Sequence, residues 1–161
     1  MIVFHGSYCE IEHPDLSFSR EKLDFGKGFY LTPLKEQAER WCTRYVRIGK
    51  TGYVNVYEMD ESIFSAAHLR IKTFTEYNEE WLDYIFACRQ GKDIYKQYDV
   101  VTGGIANDKI FATIDSYFSG YMSKEMALEK LKFEKPNHQI CILTQEALNM
   151  YLHFKEAIKL N

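Results

Sequence analysis

Two hydrophobic periods interrupt each other along this chain, and their uneven alternation restricts its fold more than any other feature. Apolar residues recurring at every second position mark strands, and those recurring every three or four mark helices. Ile2–His5 reads as a strand, broken by Gly6-Ser7 into a polar loop carrying His13-Pro14-Asp15. Phe29-Tyr30-Leu31 is a second strand, approached through the turn-rich Asp24-Phe25-Gly26-Lys27-Gly28. Thr32 is placed to cap a helix whose first position is Pro33, with Leu34, Ala38, Trp41, Cys42 and Tyr45 on one face. Tyr53–Tyr57 and Leu69–Phe74 alternate as strands, and Glu79–Gln90 has helical spacing with Gly91 as its stop. Tyr98–Val101 is a strand ending in Gly103-Gly104. Asn107 is then placed to cap a helix that buries Ile110, Phe111, Ile114 and Phe118 and closes at Gly120. Ser123 caps a further helix bearing Met126, Ala127, Leu128 and Leu131, with Pro136 in the loop beyond it. Gln139–Leu143 is a strand, Thr144 caps a short helix through Leu148, and Leu152–Leu160 is the final strand. A doubly wound sheet would space these elements regularly. Their irregular order predicts an α+β fold in a single domain, residues 1–161, with no repeat, linker or low-complexity tract.

Charge removes one class of function. With 20 Lys and Arg against 23 Asp and Glu, the net charge is −3, so no broad basic face is available. Tight sequence-independent DNA binding is not expected. Aromatic residues make up 16% of the chain, which suits an aromatic-walled cleft and a core equally well. Cys9, Cys42, Cys88 and Cys141 are too widely spaced for a zinc or thioredoxin-like pair, which predicts reduced, mostly buried thiols in a cytoplasmic protein. No signal-peptide pattern opens the chain, and no apolar run approaches the roughly 20 residues of a membrane helix. A membrane partner is therefore not expected.

Several motifs can be discarded. Gly26-Lys27-Gly28 superficially opens a dinucleotide-binding glycine motif, but Leu31 stands where the third small residue belongs and a strand follows where a helix should. No Gly-Lys-Ser/Thr phosphate loop occurs. His5, His13, His68, His138 and His153 lack helix-face metal spacing, so no metal cofactor is expected.

Phe4-His5-Gly6-Ser7 and Gly26-Lys27-Gly28-Phe29-Tyr30-Leu31-Thr32, taken together, resemble the first two signature segments of ADP-ribosyltransferases of the diphtheria-toxin and poly(ADP-ribose) polymerase type. That class is marked by a His-Tyr-Glu triad. More narrowly, the run from Phe4 through Trp41, the Asp99-Val100-Val101 segment with Ala106-Asn107-Asp108, and Asn137 through Thr144 resemble DUF3990, a bacterial family of unknown function assigned to the same superfamily. The resemblance covers nearly the whole chain.

It implies two small, mostly antiparallel sheets forming a cleft for NAD, with helices at the rim. NAD would be a consumed substrate. His5 would bond the adenosine ribose, the Gly6 backbone would grip the carboxamide, and Ser7 would add a hydroxyl. Tyr30 would stack on nicotinamide, Trp41 would form the opposite wall, and Gly28, Thr32 and Asn107 complete the NAD-binding set. The catalytic set is His5, Tyr30, Gln139 and Asp108. Gln139 stands where the family carries its catalytic glutamate, and it has no charge to offset an oxocarbenium ion. Single transfer is therefore expected in place of chain elongation. Asp108, then Glu146, are the candidates for a carboxylate supplied from elsewhere, although capping explains Asn107 and the helix dipole explains Asp108 without any site. Lys27, Arg40, Arg44 and Arg47 could receive the pyrophosphate, against the default of a solvated face.

The function implied is mono-ADP-ribosyl transfer from NAD to a protein or nucleic-acid acceptor, with nicotinamide released. Small bacterial proteins of this kind often resemble toxins of toxin–antitoxin pairs, which implies an antitoxin partner. The alternative is a non-catalytic NAD or ADP-ribose binding module, or an interaction domain without a site.

Overall fold

The computed structural model describes residues 1–104, 108–134 and 138–160. In chain order come strand β1 (Ile2–Ser7), strand β2 (Phe29–Leu31), helix α1 (Lys35–Arg47), strand β3 (Gly52–Met59), strand β4 (Ile71–Thr73) and helix α2 (Glu79–Arg89). Strand β5 (Val100–Gly104), helices α3 (Asp108–Phe118) and α4 (Lys124–Leu131), strand β6 (His138–Ile142), helix α5 (Gln145–Tyr151) and strand β7 (Leu152–Leu160) follow. The fold is α+β, with two small sheets. One is antiparallel in the order β1-β3-β7, and the other runs β2-β6-β5-β4 with only the β4–β5 pair parallel.

Strand alternation sorts the core into layers. Val3, Tyr57 and Met59 from the first sheet meet Phe29, Leu31, Val100, Ile140 and Ile142 from the second, with Leu148 and Tyr151 of α5 closing the space between them. On the outside of the second sheet, Val101 and Cys141 pack against Trp81 and Ile85 of α2, Ile110 and Ile114 of α3, and Leu131 of α4. Ala38 and Cys42 of α1 cover Val54 and Phe4 on the outside of the first sheet. Each large side chain removed from water in this way contributes about 1.5–3 kcal/mol before the entropy of ordering it is set against the gain. The parallel β4–β5 pair is held by Asp99, whose carboxylate accepts from the Arg70 amide at 2.7 Å and from its guanidinium at 2.9 and 3.1 Å.

Several local expectations shift. Gly6-Ser7 does not break β1, because Gly6 pairs with Val54 and Ser7 with Tyr53. The first helix starts at Lys35 after Leu34, and Thr32 serves the sheet while its Oγ1 accepts from the Leu34 amide at 3.1 Å. Leu34 and Phe111, expected on buried faces, are 46% exposed. Gly103 and Gly104 lie inside β5, where Phe74 and Tyr77 occupy the space a side chain would need. Thr144 makes no capping bond, and α5 runs on to Tyr151. Asn78 and Ser123 do cap, accepting from the amides of Trp81 and Met126. All four cysteines are free, and Cys42, Cys88 and Cys141 are buried. Among the described residues no helix is long and apolar enough to cross a membrane.

Candidate functional site

Among the described residues one isolated backbone bridge joins the edges of the two sheets, and the candidate site begins where it ends. Phe4 and Thr32 exchange both hydrogen bonds, at 2.8 and 3.0 Å. In a continuing antiparallel ladder, the next pair to exchange bonds would be Gly6 with Tyr30, two residues further along each strand. That pair does not form as a ladder pair, because the His5 side chain enters instead. Its Nδ1 lies 2.7 Å from the Tyr30 carbonyl oxygen. A carbonyl only accepts, so Nδ1 carries the proton and Nε2 keeps a bare lone pair. The imidazole stacks on Phe29 with centroids 4.3 Å apart, and Phe29 meets Tyr57 edge-on.

This wedge fixes both the charge and the polarity of the gap. Burial lowers the pKa of His5 to about 4, aided by the nearby positive charge of Arg44 and opposed by the bond to Tyr30. The ring is neutral at pH 7. Because backbone groups two residues apart on a strand point to the same edge, the Gly6 N–H and C=O and the Tyr30 N–H are directed into the split. The gap therefore offers two donors and an acceptor from the backbone, beside the Nε2 acceptor.

Tyr30 is half-buried, and its hydroxyl is already committed. It donates to the Gly26 carbonyl at 2.6 Å and accepts from the Phe25 amide at 3.0 Å, and burial raises its pKa well above the usual tyrosine value. The phenol is therefore unsuited to proton transfer, which leaves the ring face as its usable part. Gly6 has a clear structural reason to be glycine. A Cβ there would lie 2.2 Å from the Ala38 carbonyl oxygen and 2.9 Å from the Cβ of Trp41. The same contact brings half-buried Trp41 beside the split.

The remaining expected residues are placed as follows. Gln139 is 5% exposed and shares a sheet face with Cys141, the partner of Tyr30 across β2 and β6. Tyr30 and Gln139 thus project from one face of their sheet, whereas His5 lies with Phe29 on the other; Gln139 stands on the next strand, β6, opposite Gly103 of β5, so the three share no single face. Ser7 is buried near the Cys9 thiol. Gly28 packs against Cys141 and Leu143, and Thr32 Oγ1 also reaches the His138 carbonyl. Glu146 is exposed in the first turn of α5. Asn107 lies outside the described residues, as does the side chain of Asp108, whose backbone opens α3.

Two polar residues were missed from the sequence. Asn55, opposite His5 on β3, accepts from the Ile11 amide at 2.8 Å and donates to the Cys9 carbonyl at 3.1 Å, so it pins the loop that follows β1. A polar residue inside the apolar run Tyr53–Tyr57 was the available signal. Gln37, one turn before Trp41, is 6% exposed, and its Nε2 has no partner among the described residues. An open groove of about 440 Å³ lies between α3 and α4, lined by Ile110, Thr113, Met122, Leu131 and Phe133, and contains none of the expected site residues. Among the described residues no group of three or more His, Cys, Asp or Glu side chains could hold a metal ion.

Neither the curated proteins nor the solved structures contain a match to this chain. A family profile does match it, over residues 1–154, and carries the description "Protein of unknown function (DUF3990)". The match takes in β1, the split beside His5 and both sheets, so the chain belongs to the DUF3990 family.

Proposed function

We propose that this protein is a mono-ADP-ribosyltransferase that consumes NAD, transfers ADP-ribose to a macromolecular acceptor and releases nicotinamide. The observation that carries this reading is the split between β1 and β2 held open by His5. A primary carboxamide presents one acceptor and two donors, complementary to the Gly6 N–H and C=O pair at the split. His5 Nε2 suits a ribose hydroxyl as its donor, and the half-buried ring of Tyr30, with Trp41 beside Gly6, suits a flat cationic ring. The superfamily resemblance of the His5, Tyr30 and Gln139 segments supports the same reading.

The chemistry asks little of acids and bases. The bond between nicotinamide and ribose breaks with its electron pair going to the ring nitrogen, which leaves nicotinamide neutral. The acceptor's nucleophile then bonds to the sugar carbon and loses its proton. The ribose passes through an oxocarbenium-like state, so catalysis consists of orientation and electrostatics. The committed hydroxyl of Tyr30 and the neutral ring of His5 fit orienting roles. Gln139 would accept a bond from the ribose 2′-hydroxyl without adding charge, which makes for slow turnover. An antitoxin partner belongs to this reading through the resemblance alone.

Chromatographic measurement of nicotinamide release from NAD is the test. Gln139→Ala should slow release by about 1–3 kcal/mol of barrier, and Gln139→Glu should speed it by placing negative charge where positive charge develops. No release by the wild type or by Gln139→Glu would refute the transferase. The uncharged Gln139 favours one second reading, a module that binds NAD or ADP-ribose without turnover; calorimetric NAD binding with no release would identify it.

A further inference from the structure

We propose that the outer face of α1, together with the Tyr8–Tyr45 cluster beside it, is a docking surface for single-stranded nucleic acid. The inference deepens the transferase reading by naming the class of acceptor. It rests on that reading for the transfer step alone, since docking does not require NAD.

Arg40, Arg44 and Arg47 recur at i, i+4 and i+7, so they form one stripe about 10 Å long. All three are exposed, as is Lys50 just past the helix. Among the described residues none of these four cations has a carboxylate within salt-bridge distance, and the ion pair on α1 is Lys35 with Glu39 in its first turns. Elsewhere Arg70, Arg89, Lys109, Lys124 and Lys132 each hold a carboxylate. Among the described residues Arg20, Lys22, Lys27, Lys92, Lys130 and Lys159 likewise have no carboxylate at salt-bridge distance, but α1 is where three such cations fall on one side of one helix in a chain of net charge −3.

Flat rings lie among those charges. Tyr8, 49% exposed, meets Tyr45 edge-on at 5.3 Å. Lys50 Nζ sits 4.4 Å from the Tyr8 centroid. The Arg44 guanidinium lies 4.7 Å from the Tyr45 centroid and donates to its hydroxyl at 2.7 Å. Cations for phosphates alternating with rings for bases is the arrangement that holds a single strand. The helix dipole explains Arg44 and Arg47 near the C-terminus of α1, but neither Arg40 nor the exposed ring of Tyr8. The exposed rings beside the stripe favour unstacked bases over a duplex, whose bases are stacked away from such contacts. It also adjoins the site: Trp41, one turn before Tyr45, sits against Gly6, and the charge of Arg44 acts on His5.

The test is fluorescence anisotropy with a labelled single-stranded oligonucleotide of about 12 nucleotides, run beside NAD calorimetry on the same samples. We expect saturable binding near 50 mM salt, with log K falling against log salt at a slope of about −2 to −3 for three or four phosphates. The triple variant R40A/R44A/R47A should weaken binding at least tenfold, and Tyr8→Ala should weaken it severalfold. Lys132→Ala and Lys155→Ala, on other faces, should not change it. Circular dichroism confirms that each variant is folded. Absent or salt-independent binding, an unaffected triple variant, or equal binding to a duplex or to anionic phosphatidylserine vesicles would overturn the proposal. So would competition by NAD with loss of NAD affinity in the triple variant, which would make the stripe a pyrophosphate site. Oligonucleotide binding without NAD binding would leave the docking surface intact and remove the transferase reading.

Discussion

Replacing Gly6 with alanine separates two roles for a residue at the heart of the candidate site. The added Cβ would stand 2.2 Å from the Ala38 carbonyl oxygen, 2.9 Å from Trp41 Cβ and 3.1 Å from Cys42 Sγ. The nearest of these is helix backbone, which no rotamer change can move aside. Helix α1 must therefore lift from β1, loosening Ala38 and Cys42, both fully buried. Overpacking typically costs 1–3 kcal/mol, and a backbone clash places this case at about 3 kcal/mol. For a domain of this size, that lowers Tm by about 6–12 °C. Gly49→Ala is the comparison, because Gly49 has nothing within 4 Å and only its φ of +78° to satisfy. It should cost about 1 kcal/mol, or about 2–4 °C. Thermal denaturation followed by circular dichroism measures both. If Gly6→Ala melts within about 2 °C of wild type, the packing argument is wrong; loss of NAD binding in that case would assign the glycine to ligand approach alone.

Stability should also depend on His5 and pH. Its pKa falls from 6.5 in the unfolded chain to about 4 when folded, so the unfolded state binds the proton first as pH falls. The contribution is complete above pH 6.5, declines as pH drops toward 4, and amounts to about 3 kcal/mol, which urea unfolding at several pH values will read and His5→Gln should flatten. Tyr30→Phe should lose about 1–2 kcal/mol of stability by stranding the Gly26 carbonyl and Phe25 amide, yet keep NAD affinity, because the ring face is unchanged; Tyr30→Ala should weaken NAD binding severalfold, and an equal loss in Tyr30→Phe would show that the hydroxyl touches the ligand. Asp99→Ala leaves the Arg70 amide and guanidinium without their acceptor, and a drop of about 2–3 kcal/mol in chemical denaturation should follow.

Local pattern was enough to find most elements of this protein. The alternation in Tyr53–Tyr57 and the helical spacing in Glu79–Gln90 are properties of a few successive residues, and neither needs a partner to be read. The resemblance to DUF3990 was legible for the same reason, as an ordered set of short words around His5, Tyr30 and Gln139. What the tertiary structure decided is everything that depends on residues distant in the chain. Gly6 looked like a strand end because glycine often breaks strands, but β3 supplies its pairing from 48 positions away and α1 supplies its steric need. Thr32 looked like a helix cap, and the bridge to Phe4 drew it into the sheet. The parallel β4–β5 pair depends on Asp99 reaching back 29 residues to Arg70. Burial keeps His5 neutral, and a carbonyl 25 residues away decides which of its ring nitrogens carries the proton. Periodicity records which face of an element is apolar, whereas hydrogen-bond partners and close packing are fixed only when separate elements meet.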